Sequence, residues 1–176
     1  MAAASPVTAF LYTDGACSDN GRPGAVAAWA WVTMHAELFD AARRGRVSSC
    51  GEVPLRQTNQ RAELLAISHC LAYLVSCGAK KGPKYVICSD SNYSLKCLTE
   101  WHKLWETNGW TTTKKEPVEN AELVKEALET LRSLQAKGLS IELRWVKGHS
   151  SDLGNQEADR LATEHAALLK KVGGRG

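Results

Sequence analysis

Val7, Ala9 and Leu11 alternate with Thr8, Phe10 and Tyr12, and both sets are largely apolar. A run with no polar face belongs in the middle of a sheet. Asp14 ends that run, and Gly15 and the turn-rich Ser18–Gly24 follow. Ala25–Thr33 reads as a second strand, with Trp29 and Trp31 on one face by period two. His35–Arg46 reads as a hairpin excursion and Val47–Val53 as an edge-like third strand. Three strands in direct succession predict an antiparallel meander.

From Asn59 the period changes. Ala62, Leu65, Ala66, His69, Cys70, Tyr73, Leu74 and Cys77 recur at three and four, predicting a helix over Asn59–Cys77 with His69 as a core residue. Asn59 suits its N-cap and Gly78 its stop. Glu63 falls in its first turn, beside the apolar stripe. Tyr85–Ser89 is a short apolar strand closed by Asp90, as Asp14 closes the first. A helical stretch from Ser91 to about Asn108 carries Trp101 and Trp105 one turn apart, and Gly109 breaks it. Val124, Ala127, Leu128, Leu131 and Leu134 make a further helix over Asn120–Lys137. Ile141, Leu143 and Trp145 alternate in a last strand, and Asn155–Lys171 forms the last helix, with Asp159 in its first turns. Strand–helix alternation after a meander predicts an α/β fold with a five-stranded mixed sheet and helices on both faces. The first and fourth strands then lie side by side and parallel, with Asp14 and Asp90 at one rim, where sites form in such sheets.

Length and charge refine this. The 176 residues suit one domain over 7–170, between a loose start at 1–6 and a loose tail at 171–176. Lys and Arg exceed Asp and Glu by 22 to 19, too little to demand a polyanionic partner. The local clusters Arg43/Arg44/Arg46, Lys80/Lys81/Lys84 and Lys114/Lys115 say more, though such runs also occur as solvated loops. The six Cys form no CxxC pair, and Cys70 and Cys88 sit in apolar runs as small core residues. With no secretory signal or spanning run before the first strand, an intracellular protein of nucleus or cytoplasm is expected, with no membrane partner.

Asp14 alone would pass for a turn aspartate. Four acids in related positions change that reading. Asp14, Glu63, Asp90 and Asp159 brought together would repel unless a divalent cation joined them. An all-oxygen donor set suits Mg²⁺, with Mn²⁺ as substitute, rather than Zn²⁺. Two such ions roughly 4 Å apart can clamp both oxygens of a phosphoryl displacement.

The motifs YTDGAC with Asn20, RQTNQRAEL, SDSNY, the Trp101/Trp105/Gly109–Trp110 segment, VKGHS and NQEAD occur in that order. Together they resemble the type 1 ribonuclease H family of cellular, stand-alone enzymes, over roughly Thr8 to Ala167. The resemblance implies a ribonuclease H-like fold and endonucleolytic cleavage of RNA in RNA–DNA hybrids by a monomer, leaving 5′-phosphate and 3′-hydroxyl ends. It implies that Asp14 bridges two metals, that Asp159 shares the metal on the water side, and that Glu63 and Asp90 hold the one facing the leaving oxygen. His149 matches a mobile-loop histidine that assists proton transfer or product release. Asn20, Asn59 and Gln60 match contacts to 2′-hydroxyls and bases. Arg56, Thr58 and Asn120 match a pocket for a DNA phosphate. Asn92, Tyr93, Trp101 and Trp105 match further substrate contacts, the aromatics forming a channel for the deoxyribose strand; without the resemblance the two Trp would read as a packing stripe.

Glu106, Thr107 and Asn108 depart from the pattern, standing where many relatives carry Lys or Arg. A weak basic handle is expected, with His102, Lys103, Lys114 and Lys115 as its remaining basic groups. No separate hybrid-binding module precedes Val7. Three other readings stay open: the ribonuclease H domain of a reverse transcriptase, a DNA-directed enzyme of the same fold, and an inactive hybrid-binding module.

Overall fold

The computed structural model describes residues 7–35, 46–148 and 152–173. The predicted loose start, the centre of the excursion after His35, His149 and the last three residues lie outside that range.

The sheet has the order β3-β2-β1-β4-β5. Strands β1 (Thr8–Ser18), β2 (Val26–Thr33) and β3 (Val47–Glu52) form the antiparallel meander. Strand β4 (Lys84–Ser89) lies parallel to β1, and β5 (Ser140–Trp145) parallel to β4. The apolar strand read first is thus the centre of the sheet, with Ala9 and Leu11 fully buried. It does not stop at Asp14. The parallel ladder with β4 ends at Thr13↔Ser89, but pairing with β2 continues to Ser18↔Val26. Gly15–Ser18 is too small and polar to read as a strand, and cross-strand bonds decide its state instead.

Helix α1 (Asn59–Ser76) packs on β1 and β2. Trp29 and Trp31 face it together, Trp31 against Tyr73 and Trp29 stacked on His69 at 3.7 Å. His69 itself is exposed, so the core assignment is corrected: the ring lies over the rim of the core rather than inside it. The N-cap is also corrected. Thr58 is extended and its hydroxyl accepts from Arg61 N, while Asn59 is the first helical residue. Glu63 consequently lies just past the first turn. Leu64, Ile67 and Leu71 are buried besides the predicted stripe, because α4 (Ala121–Ala136) covers the second side of α1.

The stretch after Asp90 is not one regular helix. It comprises α2 (Asn92–Lys96), a π-helical turn over Cys97–Trp101, and α3 (His102–Thr107). His102 is buried there, its Nδ1 3.1 Å from Cys97 O, and so does not belong to the basic handle. Helix α5 (Leu153–Gly173) covers the other face of the sheet, against β1, β2 and β3, through Ala158, Ala162 and Ala166. It runs past Lys171, into the segment read as a tail. Cys70 and Cys88 are buried thiols, as expected. No described helix is long and apolar enough to cross a membrane.

Candidate active site

Tyr12 and Asp14 share one face of β1 by period two, and Gly15 looks the other way. The two faces meet different helices. On one side Gly154 of α5 is so close that an added Cβ would stand 2.2 Å from the Tyr12 ring. On the other, a Cβ on Gly15 would stand 2.3 Å from Glu63 N and 2.5 Å from Ala62 C. Glycine at both points lets α5 and α1 press against the centre of the sheet. Asp159 and Glu63 are carried in with them.

A cavity of about 320 Å³ results, lined by Asp14, Glu63, Asp90 and Asp159 with Gly15, Ala16, Cys17 and Asn59. The four acids predicted to converge therefore share one space. They surround it rather than close on a point: among the described residues, no three acidic, histidine or cysteine groups stand together as a finished metal site.

Asp14 is 8% exposed and accepts from Gly15 N at 2.7 Å. Burial, and then the charge of Asp90, push its carboxyl up to about 8, with smaller contributions from Asp159 and Glu63 and partial relief from the Gly15 bond. Glu63 is raised chiefly by burial, while Ser91 and Asn59 hold it back. Asn59 Nδ2 donates to Glu63 Oε1 at 2.7 Å, and the Ser91 hydroxyl donates to Oε2. Ser91 also caps α2, accepting from Ser94 N at 3.2 Å. Trp145, half-exposed, donates from Nε1 to the Asp90 carbonyl at 3.1 Å. A Cβ on Gly148 would lie 2.5 Å from Asp90 Oδ2, so the VKGHS turn sits directly on that carboxylate. No ion pair among the described residues neutralises Asp14, Glu63 or Asp159.

The other predicted positions fall into two groups beside this cavity. Asn20 Oδ1 accepts from Asn59 N at 3.2 Å, and Gln60 is exposed next to them. Buried Arg61 knits the second group: its backbone N–H reaches the Thr58 hydroxyl at 3.3 Å, and its Nη1 donates to Asn120 Oδ1 at 3.1 Å and to Glu122. Arg56 is exposed beside them and helps hold the Glu122 carboxyl low, after the larger effect of Arg61. Asn120 is 2% exposed, left-handed at φ 58°, and donates from Nδ2 to the Tyr93 hydroxyl at 3.2 Å. From Tyr93 an aromatic run continues: Tyr93–Trp101 at 6.1 Å, Trp101–Trp105 at 5.9 Å and Trp105–Trp110 at 5.8 Å. Lys96 lies over Trp101 and Lys125 over Trp110. Asn92 is exposed at the start of α2. Glu106 is held by Arg132 in a two-pronged pair of 2.7 and 3.0 Å.

The sequence reading missed Arg61, Ser91, Gly15, Gly148 and Trp145 as positioning residues. Ser91 was readable as a cap, since serine before a helix invites one. The others carry no local signal, because a glycine's role depends on what approaches it.

The RNase H family model matches residues 7–167. Ribonuclease H of Treponema pallidum is 37% identical over 161 residues, which is 89% of each chain. Ribonuclease H of Paracidovorax citrulli is 40% identical over 159 residues, 88% of this chain and 91% of that one. Among solved structures, LC9-RNase H1, a type 1 RNase H with the type 2 active-site motif, is similar at a TM-score of 0.73 and 25% identity, covering 94% of this chain and 75% of that one. The PFV RNase H domain shares the fold at a TM-score of 0.67 and 22% identity, covering 93% of this chain and 97% of that one. On a family match over nearly its whole length and on relatives this similar, the chain belongs to the RNase H family.

Proposed function

We propose that this ribonuclease H hydrolyses the RNA strand of RNA–DNA hybrids endonucleolytically, leaving 5′-phosphate and 3′-hydroxyl ends. The observation that carries the reading is the arrival of four carboxylates, from β1, α1, the end of β4 and α5, around one cavity. Asp14, Glu63, Asp90 and Asp159 would hold two Mg²⁺, with Mn²⁺ as substitute. The donor set fits: all oxygen, with a buried carboxyl at its centre whose ionisation the protein itself opposes. When bound, such ions polarise the phosphate and lower the pKa of the attacking water.

The chain's own residues supply position. Asp14, fixed in the central strand, is the carboxylate shared between the two ions. Asp159 stands on the side of the attacking water, and Glu63 and Asp90 on the side of the leaving 3′ oxygen. Ser91 and Asn59 keep both Glu63 oxygens aimed. His149 handles a proton on the leaving oxygen or hastens departure of the product.

Selection of the hybrid falls to the flanking groups. Asn20, Asn59 and Gln60 meet 2′-hydroxyls and base edges, which separate RNA from DNA. Arg56, Thr58 and Asn120 take a phosphate of the DNA strand, with Arg61 holding the Asn120 oxygen inward so that its amide donor faces out. Tyr93, Trp101 and Trp105, with Asn92 beside them, receive the deoxyribose strand, whose sugars lie flat on aromatic rings.

The test is direct. A hybrid, an RNA duplex and a DNA duplex, each end-labelled, are incubated with Mg²⁺ or with EDTA. Cleavage confined to the RNA of the hybrid and abolished by EDTA is expected. Cleavage of the DNA duplex, or turnover in EDTA, would overturn the reading.

A further inference from the structure

The acid cavity continues beyond Asp159. A second cavity of about 550 Å³ lies between the last residues of β1 and the C-terminal half of α5, and it shares Ala16 and Cys17 with the first. Ala16, Ala166 and Ala167 make an apolar wall, Thr163 stands toward the acids, and Lys170 and Lys171 stand at the far end. Lys170 is paired with Asp19, which ties the turn carrying Asn20 to α5 and forms one side of the groove. Lys171 is exposed and enters no ion pair among the described residues.

We propose that this groove is a further subsite for the cleaved strand. A nucleotide beyond the scissile phosphate lays its sugar and base on the alanine wall, and its phosphate meets Lys171. The proposal rests on the ribonuclease H reading and extends it. Three features favour a nucleic-acid strand as occupant. The groove is continuous with the acid cavity, the turn that closes it also carries Asn20, and it is cationic at the end away from the acids. At about 1.5 Å per residue, Lys171 lies roughly 18 Å along α5 from Asp159. That is too far to touch the phosphate being cut, so the phosphate it holds is a different one.

The experiment measures KM for a long hybrid across a salt series, using the whole chain. Lys171→Ala is expected to raise KM several-fold at low salt and to flatten the slope of log KM against log salt by about one. Ala167→Glu, at an exposed position on the wall, raises KM in the same way. Asp19→Asn acts in the opposite direction. Asn tolerates the left-handed φ of 54° at that position, and Lys170 loses its partner, so KM falls and the slope steepens. A hybrid shortened on the side of α5 abolishes the difference between wild type and Lys171→Ala. If the wild type cleaves hybrids while Lys171→Ala and Ala167→Glu leave KM and slope where they were, the subsite is refuted. If the wild type does not cleave hybrids at all, the ribonuclease reading falls first and the subsite with it.

Discussion

The acid cavity and the aromatic run from Tyr93 to Trp110 sit on one molecule and are built in opposite ways. In the cavity, carboxylates are buried beside one another and the protein supplies no cation for Asp14, Glu63 or Asp159. Along the aromatic run every strong feature is answered within the chain: Lys96 and Lys125 cover rings, and Arg132 takes Glu106. The cavity is therefore finished from outside, at a cost to the fold while it waits. The aromatic run is complete by itself and offers a surface. Damage to the first should separate activity from stability, whereas damage to the second should weaken binding and little else.

Asp14→Asn makes the sharpest break. An amide keeps the shape and removes the charge, so cleavage should fall by more than about 10³-fold. The same substitution should make the metal-free protein more stable, by an amount of the order of a few kcal/mol at pH 9. The sign follows from the shift. Asp14 ionises near 8 when folded against 3.8 ordinarily, so its contribution is whole below about pH 4 and is lost as pH rises through about 8. Thermal unfolding in EDTA should show wild type weakening across that window and Asp14→Asn far less so. Mg²⁺ should restore wild type at the alkaline end.

Gly15→Ala comes next. Its Cβ would collide with the backbone of Ala62 and Glu63, which has no flexible end to yield. Overpacking of this kind costs about 1–3 kcal/mol. A shift of α1 by an ångström should lower the rate on the order of 10²-fold. A denaturant melt beside a turnover assay reads both, and an unchanged rate would mean that Glu63 need not be held where it stands.

Trp101→Ala tests the other region. Trp101 is 39% exposed, so stability should change little. Stacking is worth about 1–3 kcal/mol per base, so KM should rise roughly tenfold. The smallest effect is expected from Glu106→Lys, which frees Arg132 and adds a cation. KM should fall a few-fold at low salt, and the gain should vanish as salt rises.

Much of this could be read from the chain. The two-sided apolar run placed β1 at the centre, and the 3.6-residue period of Val124–Leu134 fixed α4 because neighbours cover only one of its sides. Helix α1 was harder, since α4 buries its second side and even Arg61, and period alone sees one stripe. The four acids were legible because each stands at the end of a pattern. Gly15–Ser18 was not, because pairing with β2 and not composition makes it a strand. Thr58 took the cap expected of Asn59, whose side chain is occupied with Glu63.

The π-helical turn at Cys97–Trp101 sets a phase. An α-helix advances about 100° per residue, so excising a single residue there would let a regular helix run through and rotate all that follows by that angle. Tyr93, upstream, would keep its place on Asn120, while Trp105 and Trp110 would swing to another side of the molecule. An arm fixed in this way accepts exchanged side chains more readily than a changed residue count.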